Sequence, residues 1–256
     1  MEDFEKLQFE KDKKYFLEMI RASKKIVFFG GAGISTESGI PDFRSSSGIY
    51  SKDFGSQISP EEMLSRSYFD SHTRDFYRFY RKVMLYPDAE PNRVHKKLAE
   101  LEAAGKDITV VTQNIDGLHQ KAGSKNVLEL HGTVLKNHCT NCGHAYDLNF
   151  VSNPNNPIPH CSLCDGIVKP DVVLYEEPLD SDVVSAAVEA ISACDMLIIA
   201  GTSLVVYPAA SYVRYFRGKC SAVINLTSTP NESRCDLVFH QKVGDVFDWI
   251  DVESSV

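Results

Sequence analysis

Apolar positions fall into short runs separated by stretches of helical periodicity. Phe16, Met19 and Ile20 lie at helical spacing and predict an amphipathic helix over 10–22. The run Ile26-Val27-Phe28-Phe29 predicts a strand that ends at Gly30-Gly31-Ala32-Gly33. Residues 41–57 are rich in Ser, Gly and Asp and predict a long loop. Ser59-Pro60-Glu61-Glu62 predicts a helix start, with Ser as N-cap, Pro in the first turn and Glu three residues after the cap. The helical pattern runs on to about Tyr86, where Pro87 helps to end it. A helix is predicted over 92–104, stopped by Gly105, then strands at 108–111 and 127–130. Residues 134–170 lose periodicity and are dominated by Cys, Pro, Asn and Gly, as an inserted module would be. Beyond them come a helix over 180–193, strands at 196–200 and 222–226 with a helix near 208–217 between them, a strand at 237–239 and a terminal helix over 246–250.

Short apolar strands alternating with helices predict an α/β fold, a parallel sheet with helices on both faces. Its size, 256 residues, suits one large domain or one domain with an insertion. The balance of 43% hydrophobic and 24% charged residues is that of a soluble globular protein, and the net charge of -8 argues against a dedicated nucleic-acid binder. The Glu-, Asp- and Lys-rich N-terminus has no apolar signal core, and no apolar run reaches membrane-spanning length. The expected location is cytoplasmic, with no membrane role.

The seven cysteines include Cys139-x-x-Cys142 and, 18 residues on, Cys161-x-x-Cys164. Two such pairs predict a tetrahedral four-thiolate zinc site, and four protein ligands make the ion structural. The alternative, redox cysteines, lacks a neighbouring thioredoxin-like unit. His138, His144 and His160 lie close enough to replace a ligand, but solvent exposure is the expectation for each. Cys194, Cys220 and Cys235 lack metal spacing and are expected to be buried or partly buried thiols. A strand leading into Gly31-Ala32-Gly33 and a helix start is a phosphate-binding arrangement or, equally, a tight turn. Thr36 stands where a dehydrogenase fingerprint needs its third glycine, and no second strand follows until 108, which disfavours hydride transfer.

Gly31-Ala32-Gly33-Ile34-Ser35 leads to Ser38-Gly39-Ile40-Pro41-Asp42-Phe43-Arg44. Then follow Thr112-Gln113-Asn114-Ile115-Asp116-Gly117-Leu118-His119 and Glu129-Leu130-His131-Gly132. After the cysteine pairs come Lys169-Pro170-Asp171-Val172-Val173 and Gly201-Thr202-Ser203-Leu204-Val205-Val206-Tyr207-Pro208. This ordered series, spread over Lys24 to Val246, closely resembles the sirtuins, the NAD-dependent protein deacylases.

The resemblance implies a Rossmann-like core over 24–133 and 171–256, a cofactor loop and helical segment over 41–90, and a zinc module over 134–170, all within one catalytic domain spanning 1–256. It implies NAD as co-substrate and one structural zinc ion held by Cys139, Cys142, Cys161 and Cys164. It makes His131 the general base toward a ribose hydroxyl, a role suited to imidazole near neutral pH. Asn114, Ile115 and Asp116 would line the nicotinamide pocket, and Gln113 would face the ribose. Ala32, Thr36, Phe43 and Arg44 would contact the cofactor, with Phe43 shielding the reactive sugar carbon and Arg44 meeting phosphate. Thr202, Ser203 and Asn225 would bind the phosphate and adenosine end, and Asp245 and Val246 the adenine. Val172, Val173 and Leu174 would carry the acetyl-lysine protein or peptide, in a tunnel that admits a neutral acetamide and rejects an ammonium.

Two departures stand out. The familiar Phe-Gly-Glu reads Leu174-Tyr175-Glu176-Glu177, without the glycine. The Tyr-x-x-Arg pair of sirtuins that prefer acidic acyl groups is missing, because Tyr77 is followed at that spacing by Tyr80 and Tyr80 by Val83, although Arg78 and Arg81 lie close by. The expected function is NAD-dependent lysine deacetylation, transferring the acetyl group to ADP-ribose with release of nicotinamide. The alternatives are a protein mono-ADP-ribosyltransferase using the same NAD site and a non-enzymatic zinc-ribbon interaction protein.

Overall fold

The computed structural model describes residues 2–46, 48–51, 58–230 and 232–255. In chain order, helix α1 (Glu2–Ala22) precedes strand β1 (Lys25–Gly30), and a 3-10 segment (Ala32–Ser38) follows where an α-helix start was expected. Residues 47 and 52–57 of the predicted loop lie outside the described residues. Then come α2 (Pro60–Met63), α3 (Arg66–Ser71), α4 (Thr73–Val83), α5 (Arg93–Ala103), β2 (Asp107–Thr112), α6 (Leu118–Ala122) and β3 (Val127–Glu129). The chain continues through β4 (Gly132–Cys139), β5 (Ala145–Asp147), α7 (Leu148–Ser152), β6 (Val168–Val172), α8 (Ser181–Ala193) and β7 (Met196–Ala200). It closes with a 3-10 segment (Ala209–Tyr215) in place of the predicted helix, β8 (Cys220–Ile224), β9 (Leu237–Phe239) and α9 (Val243–Phe247), the last a few residues earlier than predicted.

Side-chain alternation along β1 fixes the layers. Ile26 and Phe28 pack with Phe16, Ile20, Leu98 and Phe247 from α1, α5 and α9 on one face. Val27 and Phe29 pack with Ala187 and Ile191 of α8 on the other. A strand buried on both faces must be apolar throughout, which is why its sequence runs without a polar break. The six strands pair in parallel in the order β3-β2-β1-β7-β8-β9. This is the doubly wound Rossmann order, whose direction reverses between β1 and β7.

The expected single helix from 59 to 86 is three helices. Ser59 does cap α2, accepting from the Glu62 amide at 3.1 Å. The helix then stops because the next backbone groups pair elsewhere: the Tyr175 amide donates to the Leu64 carbonyl and the Arg66 amide to the Tyr175 carbonyl. Ser65 restarts the chain by accepting from the Tyr68 amide at 3.1 Å, and His72, with φ -133°, ends α3.

The cysteine segment is more ordered than its composition predicted. Strands β5-β4-β6 form an antiparallel sheet, and they share one core with α2–α4, in which Phe69, Phe76, Tyr77 and Tyr80 pack near Val151 and Val168. The Tyr77 hydroxyl donates to the Val168 carbonyl, and Arg81 donates to the carbonyls of Val151 and Asn156 at 2.7 and 2.6 Å. The helical segment and the zinc module therefore form one lobe. Gly132 joins that lobe to the large sheet: its φ is 74°, and a Cβ there would lie 1.9 Å from the Asp171 carbonyl oxygen. No helix among the described residues is long and apolar enough to cross a membrane.

Under the sheet, His95 of α5 and His119 of α6 face each other with ring centroids 4.6 Å apart. Both nitrogens of His119 and Nε2 of His95 have no hydrogen-bond partner among the described residues. Burial pushes His95 down to about 4 and, with His95 beside it, His119 down to about 3. The unfolded chain takes up these protons below 6.5, the ordinary imidazole value, while the folded chain does not until pH 4 and below. Stability is thus fully present above 6.5 and falls as pH drops toward 4, by roughly 1.4 kcal/mol per pH unit for each ring. Urea unfolding at several pH values should show this slope, and His119→Leu should remove about half of it. An unchanged slope in that variant would contradict the assignment.

Candidate active site

The loops that follow all six strands of the large sheet line one cavity of about 1340 Å³. It opens where the strand order reverses, the position at which open α/β sheets bind ligands. The cavity brings together Ala32, Thr36, Phe43 and Arg44 after β1, Gln113, Asn114, Ile115 and Asp116 after β2, and His131 after β3. Thr202 and Ser203 after β7, Asn225 after β8, and Val172, Val173 and Leu174 from the end of β6 complete it.

Asp245 and Val246 are elsewhere. Asp245 pairs with Arg93 at 2.6 Å, in a network with Glu37 and Asp248, and Val246 is fully buried in the main core. One turn earlier, Lys242 and Val243 reach the cavity in their place. Short helices such as α9 bury one face, and the sequence does not reveal which turn faces the crevice.

His131 is held by one specific bond. Its Nδ1 lies 3.0 Å from the Gln113 carbonyl oxygen, which can only accept. The neutral ring therefore carries its proton on Nδ1 and keeps its lone pair on Nε2. Burial lowers the His131 pKa below the ordinary 6.5, and the Gln113 bond opposes this in part. At neutral pH the ring is unprotonated and competent as a base.

Beside it is a buried polar chain. Asn114 Nδ2 donates to Ser35 Oγ at 3.0 Å, and Ser35 Oγ donates to Asp116 Oδ2 at 2.6 Å. The Leu118 amide donates to Asp116 Oδ1 at 2.9 Å. Burial raises the Asp116 pKa, while the bonds from Ser35 and Leu118 hold it down. Ser35 was not among the expected site residues. It lay inside the quoted Gly-Ala-Gly-Ile-Ser motif, but only its burial and its two partners show that it positions both the amide and the carboxylate.

Gln113 Nε2 donates to Thr202 Oγ1 at 3.0 Å and ties the β2 and β7 loops together. The glycine loop serves the same contact: the Gly33 amide donates to the Gly201 carbonyl at 2.8 Å, and a Cβ on Gly33 would sit 2.9 Å from that oxygen. Its glycine admits the neighbouring loop. On the opposite wall, Asp42 Oδ1 accepts from the amides of Arg44 and Ser45 at 3.0 and 2.7 Å, and the Tyr50 amide donates to the Phe43 carbonyl at 2.9 Å, which folds the loop back on itself.

The two departures have structural answers. In the segment that lacks the family's glycine, Glu176 has φ 76°, a left-handed conformation that disfavours a side chain. Its carboxylate holds it there by accepting from the Ser67 amide and hydroxyl, both at 2.9 Å, in the first turn of α3. On α4, Tyr80 and Val83 reach the cavity wall, with Met84 just beyond the helix. Arg78 instead pairs with Asp75, and Arg81 is spent on backbone carbonyls of the zinc lobe.

The four sulfurs of Cys139, Cys142, Cys161 and Cys164 lie within 4.8 Å of one another. Two of the separations are 3.4 and 3.6 Å, near the ~3.8 Å edge of a tetrahedral zinc–thiolate site. Each pair is a knuckle: the amides of Asn141 and Leu163 point at Cys139 and Cys161 Sγ, both at 3.4 Å. The residue after each second cysteine, Gly143 or Asp165, is left-handed, with φ 71° and 60°. Tyr146 adds a hydroxyl bond to Cys161 Sγ at 3.2 Å. The donor set fits zinc. His138 and His160 turn instead to Asp171 and the Asp165 carbonyl. Cys194 and Cys220 are buried and Cys235 partly so, as expected.

A Sir2 family model matches residues 31–208. The NAD-dependent protein deacetylases of Clostridium tetani and Clostridium perfringens are 51% and 53% identical to this chain, covering 91% and 90% of it and 95% and 94% of their own lengths. Among solved structures, a Sir2 protein with a deacetylated p53 peptide and 3′-O-acetyl ADP ribose superimposes with a TM-score of 0.85 at 36% identity, covering 95% of this chain and 98% of its own. A Sir2 homolog–NAD complex gives 0.83 at 36% identity, covering 92% and 91%. The chain belongs to the Sir2 family.

Because the four-thiolate site closes the lobe that carries β4 and β6, its ion is integral to the fold. Metal analysis should give one zinc per chain. A strong chelator should lower Tm by roughly 10 °C or more, and added zinc should restore it. A Tm unmoved by complete zinc removal would contradict the assignment.

Proposed function

We propose that this chain removes acetyl groups from protein lysines at the expense of NAD and one water molecule, yielding the free lysine, nicotinamide and an acetylated ADP-ribose. The observation that carries this is the convergence, in one crevice at the sheet's switch point, of a tautomer-fixed His131, the Asn114–Ser35–Asp116 chain and the Val172–Leu174 segment. The Clostridium relatives bear the name of this activity. It is favoured over the mono-ADP-ribosyltransferase and zinc-ribbon alternatives.

NAD, when bound, would supply a labile nicotinamide–ribose bond as the acceptor for the acetyl group. The chain does the rest. His131 Nε2 accepts a proton from a ribose hydroxyl. Asn114 and Asp116 hold the carboxamide of nicotinamide by hydrogen bonds, fixed in orientation by Ser35, with Ile115 beside them. Gln113, anchored to Thr202, faces the ribose. Phe43 keeps water from the sugar carbon, and the exposed Arg44 guanidinium meets phosphate. Ala32 and Thr36 contact the cofactor near the glycine loop. Thr202, Ser203 and Asn225 take the phosphate and adenosine end, where Val243 supports an adenine contact in place of the expected Asp245 and Val246.

Val172, Val173 and Leu174 receive the acetyl-lysine protein or peptide. An ammonium buried among these apolar groups would be unpaired, so the neutral amide is favoured. With Tyr80 and Val83 at the cavity wall and no α4 arginine lining it, acetyl is preferred over acidic acyl groups. Four cysteines with metal spacing and three thiols outside any disulfide support a reducing, cytoplasmic setting, and the net charge of -8 supports a protein or peptide partner over nucleic acid; no membrane role is assigned.

His131→Ala should lower kcat at least about 100-fold while leaving Tm within a few degrees. Because the base must be neutral, kcat/KM for wild type should fall on the acid side with an apparent pKa below 6.5. A near-active alanine variant would overturn the base assignment. A succinylated peptide turned over faster than its acetylated counterpart would overturn the acyl preference.

A further inference from the structure

One contact at the cavity rim joins the two halves of the site and is not needed by the chemistry above. Tyr50 lies in the cofactor loop, and Tyr175 immediately follows Val172–Leu174. Their hydroxyl oxygens are 2.5 Å apart, and both residues line the cavity.

Each partner is anchored on its own side. The Tyr50 ring packs on Phe43 at 5.5 Å between centroids, and the Arg44 guanidinium lies 5.2 Å over the same ring. Tyr50 therefore touches both loop residues assigned to the cofactor. Tyr175 is clamped through its backbone, its amide donating to Leu64 at 3.1 Å and its carbonyl accepting from Arg66 at 2.9 Å. The next residue, Glu176, is pinned to Ser67 by two bonds, so the ring has a fixed base. Burial and the Tyr175 bond push the Tyr50 pKa far above that of an ordinary tyrosine. Tyr50 thus enters the contact as a neutral hydroxyl at working pH. Tyr175 lies within Leu174-Tyr175-Glu176-Glu177, the segment that departs from the family's Phe-Gly-Glu.

We propose that the Tyr50–Tyr175 hydroxyl pair is a latch that couples cofactor and peptide binding by fastening the cofactor loop to the peptide-bearing segment. The proposal rests on the deacetylase assignment. Neither hydroxyl is a catalytic group; both act by position. The clamped Tyr175 offers the cofactor loop a fixed partner, and a cofactor that holds Phe43 and Arg44 holds Tyr50 against the peptide-bearing segment. Such coupling must be reciprocal, and a single neutral bond limits it to a factor of about 2–10.

The test uses the zinc-loaded full chain, a non-cleavable NAD analogue and an acetyl-lysine peptide. Calorimetry should show that the peptide tightens analogue binding to wild type by about 2–10-fold, and that the analogue tightens peptide binding by the same factor. Tyr50→Phe and Tyr175→Phe keep the rings and should each bring the coupling factor close to one. The double variant should lose no more than either single change, because all three lack the same bond. A merely structural role would lower Tm without altering the coupling factor. Coupling that persists in both single variants, or losses that add in the double, overturns the latch. Failure of wild type to deacetylate the peptide with NAD overturns the assignment beneath it, so the two failures are distinct.

Discussion

Much of the site depends on how closely the loops after β1 and β7 approach each other. At that junction the sheet changes direction, and its flanking helices lie on opposite faces. The Gly33 amide is bonded to Gly201, and a side chain at Gly33 would strike that carbonyl. With the loops in contact, Gln113 can reach Thr202, and the Gln113 carbonyl is left to orient His131. A backbone approach of a few ångströms thus sets the tautomer of a side chain from a different strand. The glycine loop's first task is to seat one loop on another, and the binding crevice is a consequence.

A second constraint ties the lobes together. Gly132, directly after His131, takes a left-handed turn into β4, which pairs with β6. The proposed base and the proposed peptide segment are linked at the same point, since the Val173 amide donates to the His131 carbonyl at 2.9 Å. The zinc knuckles lie at the far end of β4, so the ion acts at a distance by holding that strand in place. It needs no open coordination position.

The large sheet was legible because a strand buried on both faces must be apolar throughout, and Ile26–Phe29 and Met196–Ala200 are. The cysteine spacing was legible because the knuckle is a local structure. Most of the site came from ordered motifs at strand ends, where sequence position and spatial position coincide. What the sequence hid depends on distant partners. The break between α2 and α3 follows from Tyr175, more than a hundred residues away, taking the backbone bonds of Leu64 and Arg66. The merging of the helical and cysteine segments into one lobe follows from Tyr77, Arg81 and their carbonyl partners. Ser35 carries no separate signal in the sequence because its role exists only with Asn114 and Asp116 around it. Asp245 and Val246 lie outside the cavity lining because Arg93 claims Asp245 and the main core claims Val246.

If one crevice consumes NAD and an acetyl-lysine together, their products must form together. Mass analysis of the products from wild-type protein, an acetylated peptide and NAD tests it most directly. The account predicts deacetylated peptide, nicotinamide and acetylated ADP-ribose in equal amounts, with no reaction when NAD is omitted. Free acetate released without NAD, or ADP-ribose attached to protein while the acetyl group stays in place, would contradict it.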